Sequence, residues 1–333
     1  MKCAELVDKP ETMNTTNLIQ PTQAPVYCGI DIAKDKFDAD LDGKIRQFDN
    51  TSSGIKKFLA ELPSGSHLVM EATGPYHLRL VDLAHEAGID LSVVNPTWIK
   101  NFRRSGGKWA KTDPIDASSI TAYARVFKPA PAVALPESLK ALREMYAVRE
   151  SLVSMRVALE NQQASLTDKK LRTMLRAEIK TLSKKEKEID ARMEDTLSAD
   201  EDLKGKSEVL RRNKGVGPQC TATLLCELPE LGTMNRKTIA ALAGLAPYNN
   251  DSGKFKGKRR IAGGRKKVRK ALYMASLSAS RYDPVFVRLK TKMKAEGKAG
   301  KVILIAIARR LIVILNAQVR DHLEQVNTQK LKA

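Results

Sequence analysis

The sequence predicts three successive parts: an α/β N-terminal domain, a helical coiled-coil spacer and a mostly α-helical, basic C-terminal domain. Strand-like and helix-like runs alternate in the first third of the chain, and apolar residues then recur every seven positions. The last 83 residues, from Asp251, hold 22 Lys and Arg against 5 Asp and Glu. We expect a disordered tail at 1–24, followed by domains at 25–135, 136–205 and 206–333.

The charge of the chain points to a polyanionic partner. The 333 residues include 58 Lys and Arg against 38 Asp and Glu, a net charge of +20. A charge that served only solubility would not need to cluster, whereas most of this excess lies in the last quarter. Nucleic acid is therefore the expected partner.

The cysteines and the hydropathy of the chain predict the cellular compartment in which the protein works. The four cysteines form no C-x-x-C pair, and only four histidines are present, so zinc-site spacing is absent. Free thiols without a signal peptide predict a reducing cytoplasm. The most apolar segment, Val302 to Val319, is interrupted by Arg309 and Arg310. It therefore predicts a buried helix and no membrane span.

The N-terminal domain begins with strand-like runs at 26–32, 36–41 and 44–48, the last two joined by the hairpin signal Asp42-Gly43. Helices are expected at 53–62 and 76–87, and further strands at 67–71 and 91–94. This order favours a mixed α/β sheet. Asp31 lies within the first strand, where a carboxylate is costly to bury without a partner. It is either a satisfied hydrogen-bond acceptor or part of a site.

The segment 111–117, KTDPIDA, predicts the start of a helix that continues to Val126. Pro114 suits the first helical position, and Asp113 suits the N-cap. Asp113 and Asp116 are three residues apart and share a helix face. Both could serve only the cap and the helix dipole. Alternatively, they form a site with Asp31 and Glu71, the latter at the end of a strand.

Four carboxylates in one place repel one another unless cations lie between them. Hard oxygen ligands suit Mg²⁺ or Mn²⁺. Two such ions would stabilise the attacking and leaving oxygens at phosphorus, so the pattern favours phosphodiester chemistry.

Basic and aromatic residues alternate from Trp98 to Lys111, around Gly106-Gly107. We interpret this stretch as a loop that either holds phosphates and stacks bases, or lies on the surface with its tryptophans packed on the domain. The candidate nucleic-acid contacts here are Arg103, Arg104, Lys108 and Lys111.

Prolines from Phe127 to Pro136 predict a linker, and two long helices should follow. Met145, Leu152, Leu159 and Leu166 are spaced by seven, as are Leu175, Leu182 and Ile189, with a break at Thr167-Asp168. This spacing predicts an antiparallel helical hairpin or coiled coil.

In the C-terminal domain, the sequence GVGP at 215–218 precedes a helix and is typical of half of a helix-hairpin-helix. Gly215 and Gly217 would then present backbone N–H groups to a DNA phosphate, although the same residues suit an ordinary helix entry. Ser252 is predicted in a turn flanked by positive charge. It is either simply a turn residue or a nucleophile whose charged neighbours stabilise a phosphate under attack. The candidate DNA-binding cations are Lys254, Lys256, Lys258, Arg259, Arg260, Arg265, Lys266 and Lys267.

Four motifs in order carry a resemblance to a known family. GIDIAK at 29–34, EATGPY at 71–76, VNP at 94–96 and KTDPIDA at 111–117 resemble the DEDD transposases of bacterial insertion sequences. That family includes the pilin-gene invertase and bridge-RNA-guided recombinases. The resemblance extends over roughly residues 27–319 and is weakest in the coiled coil.

The resemblance implies an RNase H-like N-terminal domain of the RuvC type and a metal-binding tetrad of Asp31, Glu71, Asp113 and Asp116. It also implies that Ser252, in a looser match, is the nucleophile that links to DNA. The implied partners are donor and target DNA, a structured non-coding RNA and further copies of the chain, as a dimer or tetramer. Two other hypotheses stay open. The chain is a Holliday-junction nuclease that uses water as the nucleophile in place of Ser252, or it is a nucleic-acid-binding protein without catalysis.

Overall fold

A computed structural model describes residues 25–72, 74–105, 113–249, 251–252, 255–257 and 259–331. The predicted tail at 1–24 lies outside these residues. The chain divides into two compact units, with the boundary between Ala134 and Leu135. The first unit is α/β and the second is mostly helical, as the sequence predicts.

The first unit contains a five-stranded mixed sheet. Its strands are β1 (Val26–Ile32), β2 (Lys36–Leu41), β3 (Lys44–Asp49), β4 (Ser66–Glu71) and β5 (Asp90–Val94), in the order β3-β2-β1-β4-β5. Strand β2 is antiparallel to its neighbours β1 and β3, and β4 is parallel to β1 and β5. Asp42 and Gly43 both have positive φ, 52° and 84°, which is the geometry that a tight two-residue hairpin requires.

Four helices accompany the sheet: α1 (Ser52–Ala60), α2 (Leu78–Glu86), α3 (Pro96–Ser105) and α4 (Asp113–Phe127). Alternate residues of each strand face opposite sides. On one side, strand residues such as Ile30 and Met70 share a core with Phe58 of α1 and Leu80 of α2. On the other side, Val69 packs with Ile99 of α3 and Ile120 of α4. The sheet is therefore covered on both faces.

The interpretation of Trp98 to Lys111 as a loop is wrong for its first half, because α3 extends from Pro96 to Ser105. Asn95 accepts a hydrogen bond from the backbone N–H of Thr97, at 2.8 Å, and Pro96 takes the first helical position. The residues that end β5 therefore also begin a helix. Trp98 is 57% exposed, while Trp109 lies outside the described residues.

The second unit begins with two long helices, α5 (Glu137–Ser165) and α6 (Lys169–Ala199). The predicted break is confirmed, with the side chain of Asp168 capping α6. The two helices pack against each other, and ion pairs link Arg149 to Asp190 and Arg156 to Glu186. Val148 and Met155 lie between the apolar residues that are spaced by seven positions, and they are 50% and 56% exposed. The hairpin therefore keeps an apolar strip at its surface.

The remaining helices form a common core with the base of this hairpin. They are α7 (Glu201–Arg211), α8 (Pro218–Glu227), α9 (Arg236–Leu242), α10 (Lys266–Tyr282), α11 (Pro284–Ala295) and α12 (Gly300–Lys330). Between α9 and α10 lie four short strands, β6 (Pro247–Tyr248), β7 (Asp251–Ser252), β8 (Phe255–Lys256) and β9 (Arg260–Ile261), where β6 pairs with β9 and β7 with β8.

One helix of the described chain, α12, is long and apolar enough to cross a membrane by length and composition. Its apolar residues Ile307, Leu311 and Leu315 are fully or almost fully buried in the core of the second unit, whereas Arg309 and Arg310 are exposed. The helix is therefore the central core helix of this unit, as its interrupted hydropathy predicts.

Candidate catalytic carboxylate site

Two predicted site residues lie side by side at the carboxyl ends of neighbouring parallel strands. Ile30 of β1 is in register with Met70 of β4, so Asp31 and Glu71 occupy the next positions along the two strands. Adjacent strands lie about 4.8 Å apart. Both side chains share a face with the residue two positions earlier, and those residues, Gly29 and Val69, face α4.

Helix α4 brings Asp116 to the same face. The backbone N–H of Gly29 donates a hydrogen bond of 2.9 Å to Oγ1 of Thr121 on α4. A Cβ at position 29 would lie only 2.3 Å from the carbonyl oxygen of Ala117. Only glycine permits so close an approach of helix to strand. Asp116, next to Ala117, therefore lies over the strand that carries Asp31. Asp113 begins the same helix.

Replacing Gly29 with alanine should push α4 away from β1. We expect the Gly29→Ala variant to lose about 1 to 3 kcal/mol of unfolding free energy, because the added methyl group overpacks a backbone contact. The control is Gly300→Ala, where a Cβ would meet no atom within 4 Å, and stability should hold. Urea unfolding followed by circular dichroism measures both, and equal midpoints for wild type and Gly29→Ala would contradict this account of the packing.

Arg103 of α3, predicted as a nucleic-acid contact, forms an ion pair with Asp116. The two side chains are only 15% and 11% exposed. A buried carboxylate needs a compensating charge, and Arg103 supplies it. The guanidinium is thus part of the carboxylate site, an assignment that the sequence did not suggest because the two residues lie on separate helices.

A double-mutant cycle should detect this pair in metal-free buffer. For Arg103→Gln and Asp116→Asn we expect a coupling free energy of about 1 to 3 kcal/mol, since each single change removes the ion pair from a partly buried charge. The exposed pair Arg46–Glu61, with side chains 51% and 26% exposed, is the matched cycle and should give less than about 1 kcal/mol. Equal coupling in the two cycles would show that the buried pair has no special role.

Sequence reasoning missed a further acidic residue, Asp38. It lies directly opposite Asp31 in the antiparallel pair of β1 and β2, is 9% exposed and accepts a hydrogen bond from Gln47. Side chains directly opposite one another share a face of the sheet. The signal was present in the alternation of Phe37, Asp38, Ala39 and Asp40, which puts every second residue on the carboxylate face.

A divalent metal fits this site by ligand chemistry. All of the donors are carboxylate oxygens, which Mg²⁺ and Mn²⁺ prefer. Among the side chains that the structure describes, no group of three His, Cys, Asp or Glu is positioned to hold an ion. Asp116 is instead compensated by Arg103.

The candidate nucleic-acid-binding cations other than Arg103 differ in their surroundings. Arg265 forms a two-pronged ion pair with Glu230, at 2.5 and 2.7 Å, and Lys267 pairs with Glu227. These two side chains support the fold. Arg259, Arg260 and Lys266 are exposed, as is Arg104 on α3. Lys108, Lys111, Lys254 and Lys258 lie outside the described residues, and Lys256 lies on β8.

The two candidate glycines of the GVGP sequence differ in their surroundings. Gly215 has φ of 92° and lies against α10, where a Cβ would be 2.4 Å from the carbonyl oxygen of Ala275. Its glycine is therefore required for packing. Gly217 is the N-cap of α8, and a Cβ there would meet no atom within 4 Å. Of the two, only Gly217 has open space beside its Cα.

Ser252, predicted in a turn, is instead the last residue of the short strand β7, where it pairs with Phe255 of β8. Nearby, β9 ends four residues before Arg265, which precedes α10. The short strands thus join Ser252 to the most basic part of the chain.

Comparison with known protein families decides the identity of the chain. The DEDD transposase model of the IS110 group matches residues 28–170, and a model described as transposase IS116/IS110/IS902 family matches residues 207–290. Together they cover more than half of the sequence. The chain belongs to the IS110 family of transposases. Asp31, Glu71, Asp113 and Asp116 lie within the first match, and Ser252 lies within the second.

The transposase is similar to named relatives over most of its length. It is 29% identical to the pilin gene-inverting protein of Moraxella bovis over 320 residues, 89% of this chain and 96% of the relative. The pilin gene-inverting protein of Moraxella lacunata matches equally. A 43.6 kDa protein of insertion element IS110 from Streptomyces coelicolor is 30% identical over 118 residues, 34% of this chain and 29% of that protein. The protein is thus a DNA transposase or recombinase, and its substrates are DNA.

Proposed function

We propose that this transposase moves an insertion sequence by cutting and rejoining DNA with the carboxylates Asp31, Glu71, Asp113 and Asp116 and the nucleophile Ser252. The observation that carries the proposal is the meeting of β1, β4 and α4, which brings Asp31, Glu71 and Asp116 to one face of the sheet. We further propose that the first unit, which contains the five-stranded sheet, is RNase H-like and of the RuvC type. The mixed sheet with helices on both faces supports this assignment.

The carboxylates would hold Mg²⁺ or Mn²⁺, which supplies positive charge to the phosphate under attack and to the leaving oxygen. Asp31 and Glu71 are held by their strands, and the Gly29 contact holds α4 against β1. Arg103 has two roles in this proposal. It compensates Asp116 before the ions are bound, and afterwards its guanidinium contacts phosphate oxygens, to which its planar fork is suited.

Ser252 would form the covalent link to DNA. Its oxygen bonds to phosphorus as the adjacent P–O bond of the backbone breaks, the serine proton is lost and the leaving oxygen gains a proton. The phosphoryl bond is thereby kept in the serine ester. The hydroxyl end of another strand then attacks the same phosphorus, which joins the strands and restores the serine. Arg259, Arg260 and Lys266 would hold the DNA phosphates, and their exposure supports this role.

The guiding partner in this proposal is a structured non-coding RNA, as the family resemblance implies, and the working form is a dimer or tetramer in the bacterial cytoplasm. The exposed apolar strip of the hairpin, which includes Val148 and Met155, supports assembly. The inverting relatives of Moraxella support recombination of defined DNA segments as the class of reaction.

The test measures strand cleavage by the wild-type chain. The chain is mixed with the RNA encoded by the DNA that flanks its gene and with duplexes of the donor and target DNA. We expect cut and rejoined strands with Mg²⁺, none with EDTA, and a protein–DNA adduct that resists denaturant. Cleavage without an adduct would favour the junction nuclease that uses water. Binding without any cleavage would favour a nucleic-acid-binding protein and overturn the proposal.

A further inference from the structure

A cavity opens at the same end of the sheet as the carboxylate site, on the side of α1 and α2. Its volume is about 500 Å³, within the range of small-ligand pockets. It is lined by the segments that follow β1 and β3 and by the start of α2. In sheets with parallel strands, ligands bind beyond the carboxyl ends of the strands where the chain order changes direction. Strand β1 marks that point here, since β2 and β4 lie on its two sides.

The cavity is favourable for an anionic group. Thr51, the N-cap of α1, and Arg79, in the first turn of α2, both line it. Helix N-termini present partial positive charge and attract phosphate. Lys34 adds a further cation, and Lys34 and Arg79 are both exposed to an incoming ligand. Asp35 and Asp49 also line the cavity, so the formal charge is balanced and the ligand should offer hydrogen-bond donors besides its anion.

Asn50 gives an independent indication that a ligand with donor groups belongs here. Its side chain lines the cavity and is only 6% exposed. Its Nδ2 lies within 2.9 to 3.3 Å of the carbonyl oxygens of Ala33, Lys34 and Tyr76, which fixes the orientation of the amide. Oδ1 therefore points the other way, and it is buried without a hydrogen-bond partner among the described residues. Such an acceptor is costly unless a donor reaches it.

Tyr76 supplies a flat apolar surface at the same cavity. It is 41% exposed, and its backbone is anchored by the hydrogen bond from Asn50. An exposed tyrosine next to cations is the arrangement that stacks unpaired bases in single-strand-binding proteins.

We propose that this cavity binds one unpaired nucleotide of a nucleic-acid strand, with its base on Tyr76, an amino or hydroxyl group toward Asn50 and its phosphate at Lys34, Arg79 and the two helix N-termini. Lys34 and Pro75, which line the cavity, follow shortly after Asp31 and Glu71 in the sequence. The subsite therefore lies at the same end of the sheet as the proposed carboxylate site but on its opposite face, and in this respect the inference rests on the proposed function.

The test uses the full-length chain in EDTA, where no metal-dependent cleavage takes place. Fluorescence anisotropy measures binding of fluorescein-labelled 20-nucleotide oligothymidine and oligouridine. Tyr76→Ala should weaken binding about tenfold through loss of stacking, whereas Tyr76→Phe should bind within about twofold of wild type. The control is Tyr282→Ala, which removes another exposed tyrosine, 68% exposed at the end of α10, and should not change the affinity.

Photocrosslinking supplies a second readout that is independent of affinity. The same oligonucleotides with one 5-iodouracil base are irradiated with the wild-type chain, and peptide mass spectrometry should place the crosslink on Tyr76. A crosslink only to the deoxy oligomer assigns the site to DNA, and one only to the ribo oligomer assigns it to RNA. Wild-type affinity of Tyr76→Ala together with crosslinks elsewhere would overturn the subsite.

The outcomes separate the subsite from the catalytic proposal. A Tyr76 crosslink in a chain that never cuts DNA would keep the subsite and reject the carboxylate mechanism. If the wild-type chain cuts DNA normally and its Tyr76→Ala variant binds and crosslinks like wild type, the carboxylate mechanism is kept and the subsite is rejected.

Discussion

The Glu71→Gln variant should bind DNA and fold like wild type yet lose strand cleavage. Glutamine keeps the shape of the side chain and its carbonyl oxygen but removes the negative charge that attracts the metal. A bound metal supplies several kcal/mol of charge stabilisation in the transition state. At 1.36 kcal/mol per tenfold in rate, its loss corresponds to a decrease on the order of a thousandfold or more. The rate of strand cutting in Mg²⁺ under single-turnover conditions measures the effect.

The matched control is Glu86→Gln, the same substitution at an exposed position at the end of α2. That variant should cut at the wild-type rate. A second readout is Mn²⁺ binding followed by electron paramagnetic resonance, in which Glu71→Gln should bind more weakly than Glu86→Gln. Full cleavage by a folded Glu71→Gln chain would show that Glu71 is not a catalytic residue. This conclusion would not depend on the roles of the other carboxylates.

Local signals in the sequence were sufficient for most elements of the first unit. Asp42-Gly43 predicts a hairpin because both positions can adopt positive φ, and both do. Thr167-Asp168 predicts a break between two long helices, and Asp168 caps α6 after that break. These predictions succeed because the deciding interaction lies within a few residues. Helix α3 is not predicted, because the basic and aromatic residues from Trp98 to Lys111 favour a loop, although Asn95-Pro96 begins a helix.

Long-range contacts were harder to predict. The ion pair of Arg103 and Asp116 joins two helices whose crossing is not encoded in either one. Gly29 lies within a strand, where glycine often marks a close backbone approach, so its contact with α4 had a usable signal. The adjacency of Asp31 and Glu71 was predicted as a possibility, and the parallel register of β1 and β4 provides it. The unpaired acceptor of Asn50 had no counterpart in any sequence pattern.

Replacing Ser252 with alanine should abolish the covalent protein–DNA adduct and lower strand exchange by several orders of magnitude. Alanine removes the oxygen that bonds to phosphorus in the proposed mechanism and leaves the carboxylates in place. The adduct is measured with end-labelled DNA on a denaturing gel. The control, Ser198→Ala, changes an exposed serine near the end of α6 and should keep both adduct and exchange.

The two variants test different steps of one reaction, and their combination is more informative than either result alone. If the serine is the nucleophile, Glu71→Gln and Ser252→Ala both stop cutting, since the metal stabilises the charge that develops while the serine attacks. If water is the nucleophile, only Glu71→Gln stops cutting, and Ser252→Ala cleaves at the wild-type rate without ever forming an adduct. Because Ser252 ends β7 and is followed in the sequence by the basic segment 254–260, the first pattern is the expected one. The second would leave the carboxylate site intact and assign the chain a hydrolytic mechanism.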